Sequence, residues 1–288
     1  MISPTRAVYE VGRKEIMEHF RTKRMYIIGG LYALTFLAAA IIFPVVNRGQ
    51  NLDADAAITA VLTFYNLFGG AIFTSLLALV FTADSICGEW KDRSLFLLFS
   101  KPVPRWAVLA GKVIAAYVSV LLVMVSVFVV ALAVMMVLLG IPQAGTFGQI
   151  ARGFGVFALA VIPFVAFGTL CTAMFKSPLT SFIVAMGMRF MGFNLLSTLG
   201  FFIVFFNSDV TSPEDLGNNT LLKFFSLLNP ANLMSVGASL MVSNRALAEG
   251  GLGFGFALDI PTTLLAILFH SFIYFTIAFL IVGRRDYA

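Results

Sequence analysis

The sequence predicts an all-α membrane protein that crosses a bilayer six times, and three observations carry that reading. The 288 residues are 60% hydrophobic and only 11% charged, with a mean hydropathy of +0.96, whereas soluble domains carry about 25% charge. The apolar runs reach the roughly 20 residues that a helix needs to cross a hydrocarbon core. Breaks rich in proline, glycine and polar residues separate them: Asn47-Arg48-Gly49, Gly140-Ile141-Pro142, Lys176-Ser177-Pro178 and Asp259-Ile260-Pro261.

Taken in order, the spans are expected at 25–46, 57–83, 106–139, 150–175, 179–206 and 262–282. The third is long enough to protrude into water. An even count puts both termini on one side. Arg6, Arg13, Lys14, Arg21, Lys23, Arg24, Lys91, Arg93, Lys101, Arg105, Lys112, Lys176, Arg284 and Arg285 share that side. Only Arg48, Arg152, Lys223 and Arg245 fall on the other. Positive residues stay in the cytoplasm, so the termini are expected to be cytoplasmic and the protein to lie in the plasma (inner) membrane. The organisation is then an interface segment over 1–24, a permease-like span domain over 25–283 and a short tail over 284–288. The domain includes a cytoplasmic segment, 84–112, and an external loop, 207–260. The positive charges hug membrane boundaries, which fits anionic headgroups rather than nucleic acid.

The segment before the first span reads as an amphipathic helix in the cytoplasmic interface. Val8, Val11, Ile16, Met17 and Phe20 recur at helical spacing, the charges lie elsewhere on the wheel, and Ser3 or Thr5 offers a cap. The segment 84–112 stands out more. It sets a charged, turn-rich island between two apolar runs. Leu95-Phe96-Leu97-Leu98-Phe99 is too short to span, and Pro102-Val103-Pro104 ends it. A short apolar block on the water side either packs under its own helices or meets a protein partner. The external loop holds two stretches, 220–228 and 232–242, apolar enough for short helices on or re-entering the outer surface. Asn218-Asn219-Thr220 fits a glycosylation triplet that also arises by chance.

Ionisable residues inside spans are rare and costly. Arg189 lies about ten residues into the fifth span and His270 near the middle of the sixth. With Asn194 they are candidates for lining a translocation pathway. Arg189 also has structural alternatives: pairing with Asp84, or snorkelling to the headgroups. A lone membrane histidine is commonly neutral and hydrogen-bonded inside the bundle. Met186, Met188 and Met191 read as packing, Gly187 and Gly192 are spaced wrongly for a GxxxG face, and Cys87 and Cys171 lack the spacing of a metal or redox site. No resident cofactor or metal is expected.

The run Glu89, Arg93-Ser94-Leu95, Leu98-Phe99-Ser100, Pro102-Val103, Arg105 and Gly111-Lys112 resembles the signature of ABC-2 type transport permeases, including their NosY-like members. In that family the run lies between spans two and three, and the pattern has Gly-Thr where this chain has Arg93-Ser94. Leu228-Asn229-Pro230 is also typical. The resemblance implies an ABC-2 (type V) exporter fold: a homodimeric permease driven by two copies of a separate ATPase subunit that holds the ATP and Mg. It implies that Glu89, Arg93, Ser94, Leu95, Leu98, Pro102, Arg105 and Lys112 belong to a coupling element for that ATPase. The chain lacks the G-x-x-x-x-G-K-[ST] phosphate loop, and Val113 follows Gly111-Lys112, so hydrolysis is expected on the partner and the chain itself is not expected to be an enzyme. An alternative is the same fold acting as a mechanical or assembly device for an extracytoplasmic partner protein, as in copper-enzyme maturation. A secondary transporter would call for buried carboxylates, which the spans lack.

Overall fold

The computed structural model describes residues 3–46, 53–66, 70–91, 104–207, 219–241 and 258–284. All regular structure among these is helical. Helix α1 (Pro4–Arg21) starts at Ser3, whose hydroxyl accepts from the Arg6 N–H, with proline in its first turn. It is followed by α2 (Lys23–Val46), α3 (Ala54–Tyr65), α4 (Ala71–Thr82), the short α5 (Cys87–Lys91) and the 35-residue α6 (Arg105–Leu139). The chain continues through α7 (Ala144–Leu159), α8 (Ile162–Met174), α9 (Pro178–Gly187), a π-helical turn (Met188–Gly192) and α10 (Phe193–Asn207). The hairpin pair α11 (Thr220–Leu227) and α12 (Pro230–Leu240) precedes the last helix, α13 (Ile260–Arg284).

Six helical segments are long and apolar enough to cross a membrane: Met25–Val46, Ala71–Trp90, Arg105–Leu139, Ala144–Met174, Pro178–Phe206 and Ile260–Arg284. The second departs from the sequence expectation. It begins at Ala71, and Ala54–Tyr65 is a separate shorter apolar helix. The fourth span is not one rod. Pro163 lies in the first turn of α8, where its missing N–H breaks the ladder from α7, so the helix restarts at Ala160–Val161. The fifth contains the π turn, which inserts extra backbone at Arg189.

Helix α6 is the axis, touching α1, α2, α4, α8 and α13. Helix α8 is the innermost element, with every residue from Pro163 to Ala173 buried against α4, α9 and α13. Lipid tails are as apolar as leucine, so span packing rests on close backbone approach and hydrogen bonds. The α7–α12 contact shows this. A Cβ on Gly153 would lie 2.6 Å from the Met241 backbone nitrogen, and one on Gly237 would collide with the Phe157 backbone.

Candidate functional site

The two ends of the charged island meet. Glu89 on α5 and Lys112 on α6 form an ion pair of 3.0 Å through Oε2 and Nζ. Lys112 is only 3% exposed, and its ammonium also donates to Glu15 Oε1 of α1. Lys14 Nζ reaches Glu89 Oε1 at 3.3 Å and Glu18 Oε1 at 3.4 Å. One buried ammonium thus holds three elements that are far apart in sequence. The neighbouring glycine makes this possible. A Cβ on Gly111 would stand 2.9 Å from the Val8 carbonyl oxygen and 3.0 Å from Val11 Cβ, so only a residue without one lets α1 lie against α6.

The face that α1 buries is small and polar: Ala7, Gly12 and Glu15 are buried, and His19 Nδ1 meets Ser119 Oγ at 3.0 Å. Tyr9, Met17 and Phe20 remain exposed, as an interface helix needs. Burial raises the Glu15 carboxyl above its ordinary value, with Lys112 pulling the other way. Burial, then the Lys112 charge, push His19 down to about 4. A cavity of about 140 Å³ opens at this junction, bordered by Glu15, Glu18, His19, Asp84, Glu89 and Lys112 among others.

Two more contacts frame the island. Arg105 Nη1 donates to the Gly283 carbonyl at 2.9 Å and the Val282 carbonyl at 3.4 Å, placing positive charge on the C-terminal carbonyls of α13. The Lys176 ammonium sits 5.2 Å from the Trp90 ring centroid. Arg93, Ser94, Leu95, Leu98 and Pro102 lie outside the described residues. Glu89, Arg105 and Lys112 are therefore seen as anchors of the island, each engaged within the chain.

At the opposite end, the α11–α12 hairpin turns inward. Asn219 caps α11, accepting from Leu221 N–H at 3.0 Å and Leu222 N–H at 3.3 Å. Asn229 caps α12, accepting from Ala231 N–H at 2.9 Å. Asn229 is 1% exposed. Its Nδ2 donates to Ser197 Oγ at 2.9 Å and Asn194 Oδ1 at 3.5 Å, and Asn232 Nδ2 reaches the same Ser197 oxygen at 3.3 Å. His270 Nδ1 lies 2.8 Å from the Ala266 carbonyl and Nε2 lies 3.3 Å from the Leu228 carbonyl. His270 is ten residues into α13, about 15 Å along it at 1.5 Å per residue, so the hairpin tip lies at mid-span depth. The two short apolar helices expected in this stretch are present, over Thr220–Leu227 and Pro230–Leu240. Asn194 and His270 meet at this tip.

Arg189 stands apart. It is 3% exposed, so it does not snorkel. Its Nε donates to Ser75 Oγ at 2.9 Å, and its guanidinium carbon lies 5.4 Å and 5.6 Å from the Phe164 and Phe190 centroids. Among the described residues no carboxylate pairs with it, so the pairing with Asp84 expected as one alternative is not the contact that holds it. Sequence reasoning missed Glu15, His19, Ser75 and Ser197, and marked Asn229 only as part of the Leu228-Asn229-Pro230 turn. Glu15 and His19 carried a signal, since they share a helical face with Gly12. The others are small polar residues whose partners come from distant helices.

The family profile described as ABC-2 family transporter protein matches residues 9–287. That range takes in most of α1, all six candidate spans and the α11–α12 hairpin. A search of curated proteins returned no match to this chain. With six apolar helices, a clasped island between the second and third, and a profile match over nearly its whole length, the chain belongs to the ABC-2 family of transporter proteins.

Proposed function

We propose that this protein is the permease subunit of an ATP-binding-cassette exporter, working as a homodimer on two copies of a separate ATPase. The observation that carries the reading is the buried clasp of Glu89, Lys112 and Glu15. A buried charge cluster is costly unless every member is paired. Here it ties the island at once to the interface helix and to the longest span. A push on the island is then delivered to α1 and α6 together. The island, with Arg93, Ser94, Leu95, Leu98 and Pro102 between its anchors, is the surface offered to the ATPase. ATP and Mg belong to that partner. The bias of positive charge supports a cytoplasmic location for the termini and the island, with the α11–α12 hairpin closing the far side of the pathway. Asn194 and His270 act there by holding the hairpin tip.

The test is co-purification with a candidate ABC ATPase subunit co-expressed with this chain, using wild type, Glu89→Ala and a charge swap over 95–99. Association and stimulated ATP hydrolysis are expected for wild type. The charge swap is expected to lose association. Glu89→Ala is expected to keep part of the association and lose stimulation. Undiminished association and stimulation in both variants would falsify the coupling assignment. Full stimulation with no substrate movement would instead place the protein with NosY-like devices that act on an extracytoplasmic partner.

A further inference from the structure

We propose that Arg189 is a binding site for an oxyanion headgroup, a phosphate or a carboxylate. The proposal rests on the permease reading and names the substrate class. Arg189 is eleven residues into the fifth span, about 16 Å along it and so near the middle of a hydrocarbon core of about 30 Å. A guanidinium at that depth costs a few kcal/mol unless something compensates it. The groups that the chain supplies are neutral. The Ser75 hydroxyl donates to the Ile72 carbonyl at 2.9 Å, which leaves its lone pairs for Arg189 Nε. Phe164 and Phe190 offer ring faces, which attract the cation but accept no in-plane hydrogen bond. Among the described residues Nη1 and Nη2 have no hydrogen-bond or ion-pair partner.

The geometry therefore fixes one edge of the guanidinium and leaves the other. The held edge is Nε; the remaining edge is the fork of parallel N–H groups that matches two oxygens of a carboxylate or phosphate. The π turn at Met188–Gly192 carries the residue, and such turns recur at functional sites because they re-aim side chains. The aromatic surroundings favour an oxyanion attached to an apolar body. The site thus differs from the clasp around Lys112, where every charge already has its counter-charge inside the chain.

The test uses the full chain in maltoside micelles and a dodecyl phosphate bearing a diazirine. Photolabelling is expected in the π turn and in α4. Arg189→Gln is expected to reduce it about tenfold or more, the loss of one charge-assisted bidentate contact. Arg189→Lys, which keeps the charge without the fork, is expected to fall in between. Competition separates the sources. Displacement by dodecyl phosphate alone assigns the headgroup of an amphiphile; displacement by inorganic phosphate as well assigns a free oxyanion. Wild-type labelling in Arg189→Gln and Arg189→Lys, or equal displacement by dodecyltrimethylammonium, overturns the proposal. Should Arg189→Gln fail to fold, Arg189→Lys carries the result. Labelling needs no ATPase, so failure of the permease reading shows separately, as lost association in wild type.

Discussion

At the terminus-bearing end, Lys112 is held between two carboxylates and fastens α1 and α5 to α6. At the other end, the α11–α12 hairpin is fastened by amides, a hydroxyl and an imidazole, all meeting neutral oxygens. The first set consists of full charges paired with one another beside a cavity; the second meets α13 ten residues from its start. Charge is cheap to keep at an interface and costly in hydrocarbon, so each depth uses the bonds it can support. The bonds also differ in what breaking them costs. Removing one member of a buried ion pair costs about 3–5 kcal/mol, whereas hydrogen bonds between helices in membranes average about 0.6 kcal/mol. The bundle is therefore held more firmly at the charged end than at the hairpin.

The largest effect expected is for Lys112→Ala. It strands the buried Glu15 and leaves Glu89 with Lys14, and a loss of about 3–5 kcal/mol should appear as a sharp drop in monodisperse protein on size exclusion. Glu15→Gln on the same background should recover part of it. Equal yields for Lys112→Ala and wild type would remove the clasp from the comparison.

Gly111→Val comes next. The added atoms meet the Val8 carbonyl and Val11, and overpacking of this kind costs about 1–3 kcal/mol. Hydrogen exchange should speed up along α1 and remain slow in α8.

The pH response sharpens the charged end further. His19 is held at about 4 against an ordinary 6.5, so its contribution to stability is complete above 6.5 and is lost as pH falls toward 4. Glu15, held above its ordinary 4.5, acts in the opposite sense, and Glu18, Asp84, Glu89 and Lys112 border the same cavity. Exchange in α1 is expected to rise between pH 6.5 and 5 in wild type and to change less in His19→Phe. An identical profile in that variant would remove His19 as the source of the effect.

Smallest is Asn229→Ala. It deletes the α12 cap and the bonds to Ser197 and Asn194, for about 1 kcal/mol. Expression should hold while exchange in α11 and α12 rises. A collapse as large as that of Lys112→Ala would erase the contrast between the two ends.

Much of this architecture is legible in residue order. The helix before the first span, the six spans and the two short helices between the fifth and sixth come from apolar run length, charge placement and proline. The fourth span reads as continuous because Pro163 lies within an apolar run, and run length does not register a missing N–H. The same limit hides the start of the second span, because Ala54–Tyr65 is also apolar and runs toward the helix beginning at Ala71. Glu89 and Lys112 are marked by the island's signature, yet their pairing is not, since it depends on α1 lying in the notch at Gly111. Gly153 and Gly237 carry no pattern at all; their meaning appears only when α12 folds back onto α7.

The clasp has one more consequence. With Glu89 and Lys112 joined, the intervening chain is a closed loop whose ends cannot drift apart. Closing a loop of this length has an entropic cost that grows only with the logarithm of its length, and folding of the bundle meets that cost before any partner arrives. A partner that meets the two anchored ends then spends less of its binding energy on ordering them. Cutting the clasp should weaken the grip chiefly through entropy, with the contacting side chains unchanged.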